Sequence, residues 1–149
     1  MTYRILFVDE IKIEVDVFIR SVKARGYDVH HCRFAQEAYD LLTTDPSFNC
    51  VLVDILLAPG RGSSRFARTG AEKDTEAGID LVEQLIDAQS SDPKLLAPNK
   101  FMFLSHIGRS RSHKRLTELE SKGVKYMNKA DFVEDPAEFL AAIERICKK

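Results

Sequence analysis

The stretch Asn49–Asp54, NCVLVD, decides the fold. Cys50, Val51, Leu52 and Val53 form an unbroken apolar run, and a carboxylate follows at once. A strand apolar at every position, not at alternate ones, belongs in a sheet covered on both faces. Beyond it the chain is polar and glycine-rich until a helical pattern begins at Gly78. A buried strand therefore ends on Asp54, with a long polar loop directly after it.

Working outward, short apolar runs alternate with helical patterns. Tyr3–Asp9 (YRILFVD) reads as a first strand, and Ile13 to Lys23 as a helix stopped by Gly26. Tyr27–Cys32 reads as a second strand, and Ala35 to Leu42 as a helix ended by TTDPS. Gly78–Ala88 puts Ile79, Val82, Leu85 and Ile86 on one helical face, and Lys100–Ser105 (KFMFLS) is a fourth strand. Ser112 to Lys122 is helical up to Gly123, VKYMN is a fifth strand, and a last helix starts with Asp135, Pro136 and Glu138 as a capping box. Strict alternation predicts an α/β fold: a doubly wound, five-stranded parallel sheet with helices on both faces. The 149 residues fit a single domain, with an insertion at about 57–77.

A formal net charge of -1 gives no global electrostatic case for nucleic acid or an anionic membrane. No apolar run approaches membrane-spanning length, and the first ten residues do not read as a signal peptide. Cys32, Cys50 and Cys147 form no CxxC pair and read as buried free thiols in a reducing, cytoplasmic setting. His30 and His31 read as structural or surface residues, and His106 and His113 lack partners at zinc spacing.

In such sheets function gathers where carboxyl ends of strands meet the next loops. Strand one ends in Asp9 and Glu10, strand three in Asp54 and strand four in Ser105; Lys129 follows strand five. Two carboxylates about 4 Å apart repel by roughly 4 kcal/mol at an effective dielectric of 20, so three need compensation. A hard divalent cation provides it, since Mg²⁺ takes carboxylate, water and phosphate oxygens. One acid is then available as a nucleophile, with a lysine and a hydroxyl to stabilise a transferred phosphoryl group.

The DE pair, the VLVD strand, the hydroxyl closing FMFLS and the lysine of YMNK, in that order, resemble the receiver domain of two-component response regulators. The resemblance covers almost the whole chain, excepting the loops after Asp54 and before strand four. It implies a flavodoxin-like strand order 2-1-3-4-5, which spacing alone does not supply. It implies Asp54 as phosphoacceptor, taking a phosphoryl group from a phosphohistidine on a histidine kinase or phosphotransfer protein. Asp9, Glu10, Asp54 and the backbone carbonyl of Leu56 would hold Mg²⁺. Ser105 would be the switch hydroxyl, Lys129 the phosphate contact and Tyr126 the aromatic that changes rotamer. Such a protein is a signalling phosphoacceptor that assists its own phosphorylation and dephosphorylation, not an enzyme. Its output is expected through an unidentified protein partner. The alternative is a receiver-like interaction module that works without phosphorylation. A Mg²⁺-dependent phosphohydrolase is disfavoured, because Glu10 and Ile11 follow Asp9 where a second acid two residues on is needed.

Three features depart from the family pattern. Ala130 stands where a proline commonly follows the lysine, LLAPG replaces a short Met-Pro turn, and His106 follows Ser105 where a small residue is common. His106 is thus a candidate modulator of access. The inserted loop carries Arg61, Arg65 and Arg68, then Glu72, Asp74 and Glu76, with Phe66 its one large apolar residue. Two readings stand: a tolerated surface insertion, or a lid or docking arm beside Asp54. Either way, shortening it is expected to cost few apolar contacts.

Overall fold

The computed structural model of the chain describes residues 2–10, 12–57, 66, 76–106 and 113–149, without the side chains of 12–14, 113, 133 and 134. Five strands pair in parallel in the order β2-β1-β3-β4-β5. They are β1 (Arg4–Val8), β2 (Asp28–Cys32), β3 (Cys50–Val53), β4 (Phe101–Ser105) and β5 (Lys125–Asn128). Between and after them run α1 (Lys12–Ala24), α2 (Ala35–Thr44), α3 (Ala77–Ser91), α4 (His113–Ser121), α5 (Lys129–Glu134) and α6 (Pro136–Cys147). The expected strand order and layering are both present.

Strand alternation builds two cores. Leu6, Val8, Val51, Val53, Phe101 and Phe103 face α2, α3 and α4. Ile5, Phe7, Cys50, Leu52, Met102 and Leu104 face α1, α5 and α6. Both faces of the central strands are therefore dry, which is why β3 is apolar at every position. The register Val8↔Cys32, Val8↔Val53 and Val53↔Phe103 sets the carboxyl ends of the strands side by side. Gly123, at φ +112°, ends α4 in a conformation that favours glycine.

Two expectations change. Between VKYMN and Asp135, where the sequence pattern assigns no element, the chain enters α5 at Lys129, capped by the Asn128 side chain, which accepts from Ala130 N–H at 2.9 Å. The short helix is held by Phe132, whose ring packs 4.4 Å from Phe18 and 4.8 Å from Phe139. The Lys129–Ala130 peptide is trans.

Phe66 is the second change. It is 2% exposed within the α2–α3–α4 core, its ring 6.0 Å from Tyr39. The inserted loop thus contributes a core residue, and removing it does cost apolar contacts. Arg61, Arg65, Arg68, Glu72 and Asp74 lie outside the described residues, as do Arg109 to Ser112.

Cys32, Cys50 and Cys147 are free and buried, as expected. Burial pushes the Cys32 thiol up to about 11, which keeps it protonated at neutral pH. Among the described residues no helix is long and apolar enough to cross a membrane.

Candidate functional site

Asp9 follows β1 and Asp54 follows β3, and each keeps one ladder bond beyond its strand. Asp9 N–H donates to Cys32 C=O at 3.0 Å, and Asp54 N–H donates to Val8 C=O at 2.9 Å. Both carboxylates are thereby fixed to the rigid sheet edge. Ser105 closes β4 and Lys129 opens α5, so four separate chain segments deliver Asp9, Asp54, Ser105 and Lys129 to one place. All four are buried, and Ser105 and Lys129 are each 1% exposed.

The contacts among them are specific. The Lys129 ammonium donates to Asp9 Oδ2 at 2.7 Å and lies 3.7 Å from Asp54 Oδ2. The Ser105 hydroxyl donates to Asp54 Oδ1 at 2.9 Å, and Leu56 N–H donates to the same oxygen at 3.3 Å. One oxygen of Asp54 therefore meets neutral donors and the other faces a cation.

Burial pushes the Asp54 carboxyl up to about 6, with the nearby Asp9 charge adding to the rise. The Lys129 charge, the Ser105 hydroxyl and the Leu56 amide act in the opposite direction and do not cancel it. A desolvated carboxylate poised near neutrality is a common mark of a reacting group.

Sequence reading passed over Gly78. A Cβ on Gly78 would lie 2.0 Å from the Asp54 carbonyl oxygen and 3.0 Å from Ile55 Cα. The first turn of α3 rests directly on the backbone of Asp54, and Gly78 N–H donates to Ile55 C=O at 3.2 Å. Only a residue without a side chain allows that approach.

No family model and no curated protein matches the sequence. Solved structures match over nearly its whole length. A two-component response regulator of the LuxR family from Aurantimonas sp. SI85-9A1 is 25% identical with a TM-score of 0.66, over 99% of this chain and 86% of that one. A CheY-like response regulator receiver domain protein from Methanospirillum hungatei is 21% identical with a TM-score of 0.60, over 97% and 98%. The BeF3-activated N-terminal receiver domain of RstA from Klebsiella pneumoniae is 18% identical with a TM-score of 0.66, over 98% and 99%. The fold is that of response-regulator receiver domains.

On this receiver fold the remaining candidates are dispersed. Glu10 follows Asp9 and is half-buried. Leu56 offers its N–H to Asp54, as above. Tyr126 lies on edge strand β5 opposite Phe103 and packs, half-buried, against the α2–α3–α4 core. His106 is exposed just past the end of β4. Arg115 joins α4 to α3: its guanidinium donates to Asp80 at 2.5 Å and to Glu83 at 2.5 and 3.2 Å. His31, read as structural or surface, instead reaches the backbone of Asp9, with Nε2 2.7 Å from its carbonyl oxygen.

Among the described residues no three His, Cys, Asp or Glu side chains gather as a metal-ligand group. Glu10 therefore does not close a three-acid set with Asp9 and Asp54. The donor chemistry still fits Mg²⁺, because both aspartates converge on one ammonium and supply hard oxygen donors. Magnesium keeps several waters and needs only one or two protein carboxylates plus phosphate oxygens.

Proposed function

We propose that the chain is a phosphoacceptor switch in a two-component phosphorelay. The observation that carries this reading is the setting of Asp54: a desolvated carboxylate with the Ser105 hydroxyl on one oxygen and the Lys129 ammonium facing the other. A carboxylate oxygen of Asp54 attacks phosphorus of a phosphohistidine on a histidine kinase or phosphotransfer protein. The P–N bond breaks, the leaving imidazole nitrogen keeps the electron pair, and an aspartyl-phosphate forms. Lys129 and Ser105 are placed to contact oxygens of the transferred group. Asp9, Asp54 and Glu10, with the Leu56 carbonyl, would hold Mg²⁺, whose chemistry when bound is neutralisation of phosphate charge. Engagement of Ser105 and Lys129 by phosphate would release the contacts they now make to Asp54 and Asp9. That release biases the β4–β5 edge, including Tyr126, toward a second arrangement read by a protein partner. A cytoplasmic setting accompanies this role.

A second reading is a contact module that works without phosphorylation. It is favoured by the Lys129–Asp9 pair, which occupies an oxygen a cation would need. Intact mass after incubation with acetyl phosphate and Mg²⁺ separates the two. One acid-labile phosphoryl group on the wild type and none on Asp54→Asn supports the switch. No adduct on either protein, with Mg²⁺ present in excess, supports the contact module.

A further inference from the structure

We infer that His31 is a positioning residue for the Asp9–Glu10 acid pair. The inference rests on the reading of that pair as a cation site. Asp9 lies one residue beyond β1, and β2 ends at Cys32. The last main-chain rung between them is Asp9 N–H to Cys32 C=O at 3.0 Å. Beyond that rung the Asp9 carbonyl has outrun the strand beside it. The His31 imidazole reaches it, with Nε2 2.7 Å from the oxygen. A carbonyl only accepts, so Nε2 carries the proton, and the contact fixes the tautomer.

Consecutive residues of β2 thus hold both main-chain polar groups of Asp9. Lys129 holds the side chain at 2.7 Å as a third tether. The peptide group is planar, so the Asp9 carbonyl and the Glu10 N–H move as one unit. Clamping the carbonyl therefore sets the direction in which Glu10 leaves the strand. His31 Nε2 is committed to the Asp9 carbonyl, so it would order the acids that hold a cation, as outer-shell partners order metal ligands. His30 faces the other way, its ring 5.3 Å and edge-on to Phe48 and its Nε2 3.1 Å from Asp28 Oδ2. Strand alternation gives the two imidazoles opposite faces, and only His31 faces the acid pair.

The test uses the full chain as wild type, His31→Leu and His31→Gln. Leucine fills space without a donor, whereas the glutamine amide donates from a similar reach. The first readout is ¹⁵N relaxation of the Glu10 amide without metal. His31→Leu should lower its order parameter from a rigid value near about 0.85 toward 0.6, with the amides of β3 unchanged. The second is calorimetric Mg²⁺ titration without a phosphodonor. His31→Leu should weaken binding about tenfold, at the low end of what losing an outer-shell partner costs a site, and His31→Gln should stay within about twofold of wild type. The third is phosphorylation by acetyl phosphate, where His31→Leu should need more Mg²⁺ for half-maximal rate yet reach the wild-type rate at saturation. An unchanged Glu10 amide in His31→Leu overturns the inference, as does a glutamine variant as loose as the leucine one. A wild type that binds no Mg²⁺ and takes no phosphoryl group overturns the functional reading, while the relaxation data still decide the role of His31.

Discussion

Lys129 Nζ lies 2.7 Å from Asp9 Oδ2, although 120 positions separate the two residues in the chain. Their side chains are 1% and 4% exposed, so neither charge has water to fall back on. A buried pair adds little net stability, yet removing one partner is costly because the other is left uncompensated.

Lys129→Met should therefore destabilise the protein by about 3–5 kcal/mol at neutral pH. Adding Asp9→Asn to it should recover a large part of that loss, since the orphaned charge is gone. Urea unfolding of wild type, both single variants and the double variant gives the coupling directly. Strictly additive effects would mean that the two groups do not stabilise each other.

Asp54 sets a pH dependence. Its carboxyl is raised to about 6 in the fold, mainly by burial, against about 3.9 in an unfolded chain. The protonated form is thus the one the fold favours. Its stabilising contribution is complete below about pH 4 and is lost as pH rises through 6. Asp54→Asn, which cannot ionise, should match the wild type near pH 4. In EDTA at pH 7.5 it should exceed it by about 1–3 kcal/mol. Thermal melts across that range check the sign, and a variant less stable than wild type at pH 7.5 would contradict it.

Gly78→Ala places a methyl group where the Asp54 carbonyl oxygen already sits. The first turn of α3 must retreat, at a cost of about 1–3 kcal/mol by analogy with overpacked cores. Because the retreat is from Asp54 itself, phosphorylation by acetyl phosphate should slow as well. Ala77→Gly, one residue earlier, is the control; the assignment fails if it slows the reaction as much as Gly78→Ala does.

Phe66→Ala should cost about 3–5 kcal/mol, the range for a buried phenylalanine in a core. Replacing residues 61–76 by a Gly-Ser turn should cost about the same. A shortened loop that keeps a phenylalanine at this point should regain much of it. Calorimetric melts of the three proteins check this, and an unaffected Phe66→Ala variant would return the loop to a surface insertion.

The two-sided core and the four candidate site residues Asp9, Asp54, Ser105 and Lys129 were legible in the sequence, whereas the strand order came only with the family resemblance. Asp9, Asp54 and Ser105 end or directly follow an apolar run and Lys129 follows the fifth strand, and parallel strands bring such ends to one edge. What stayed hidden depends on distance across the sheet. The need for glycine at position 78 arises only because the helix meets the backbone of Asp54. His31 matters only through the register that sets β2 beside β1. Phe66, alone among polar neighbours, gave no periodicity to place it in a core. Helix α5 is six residues long, too short for a pattern, although Asn128 before it was a capping residue in plain view.

Helix α5 has one further consequence. Lys129 and Phe132 sit one turn apart on it, the first at the carboxylates and the second wedged between Phe18 of α1 and Phe139 of α6. So short a rod has no slack along its length. A pull on the ammonium strong enough to carry the Lys129 backbone with it would therefore also move the Phe132 ring among the aromatics of α1 and α6. Charge at one end and shape at the other are two readings of the same lever.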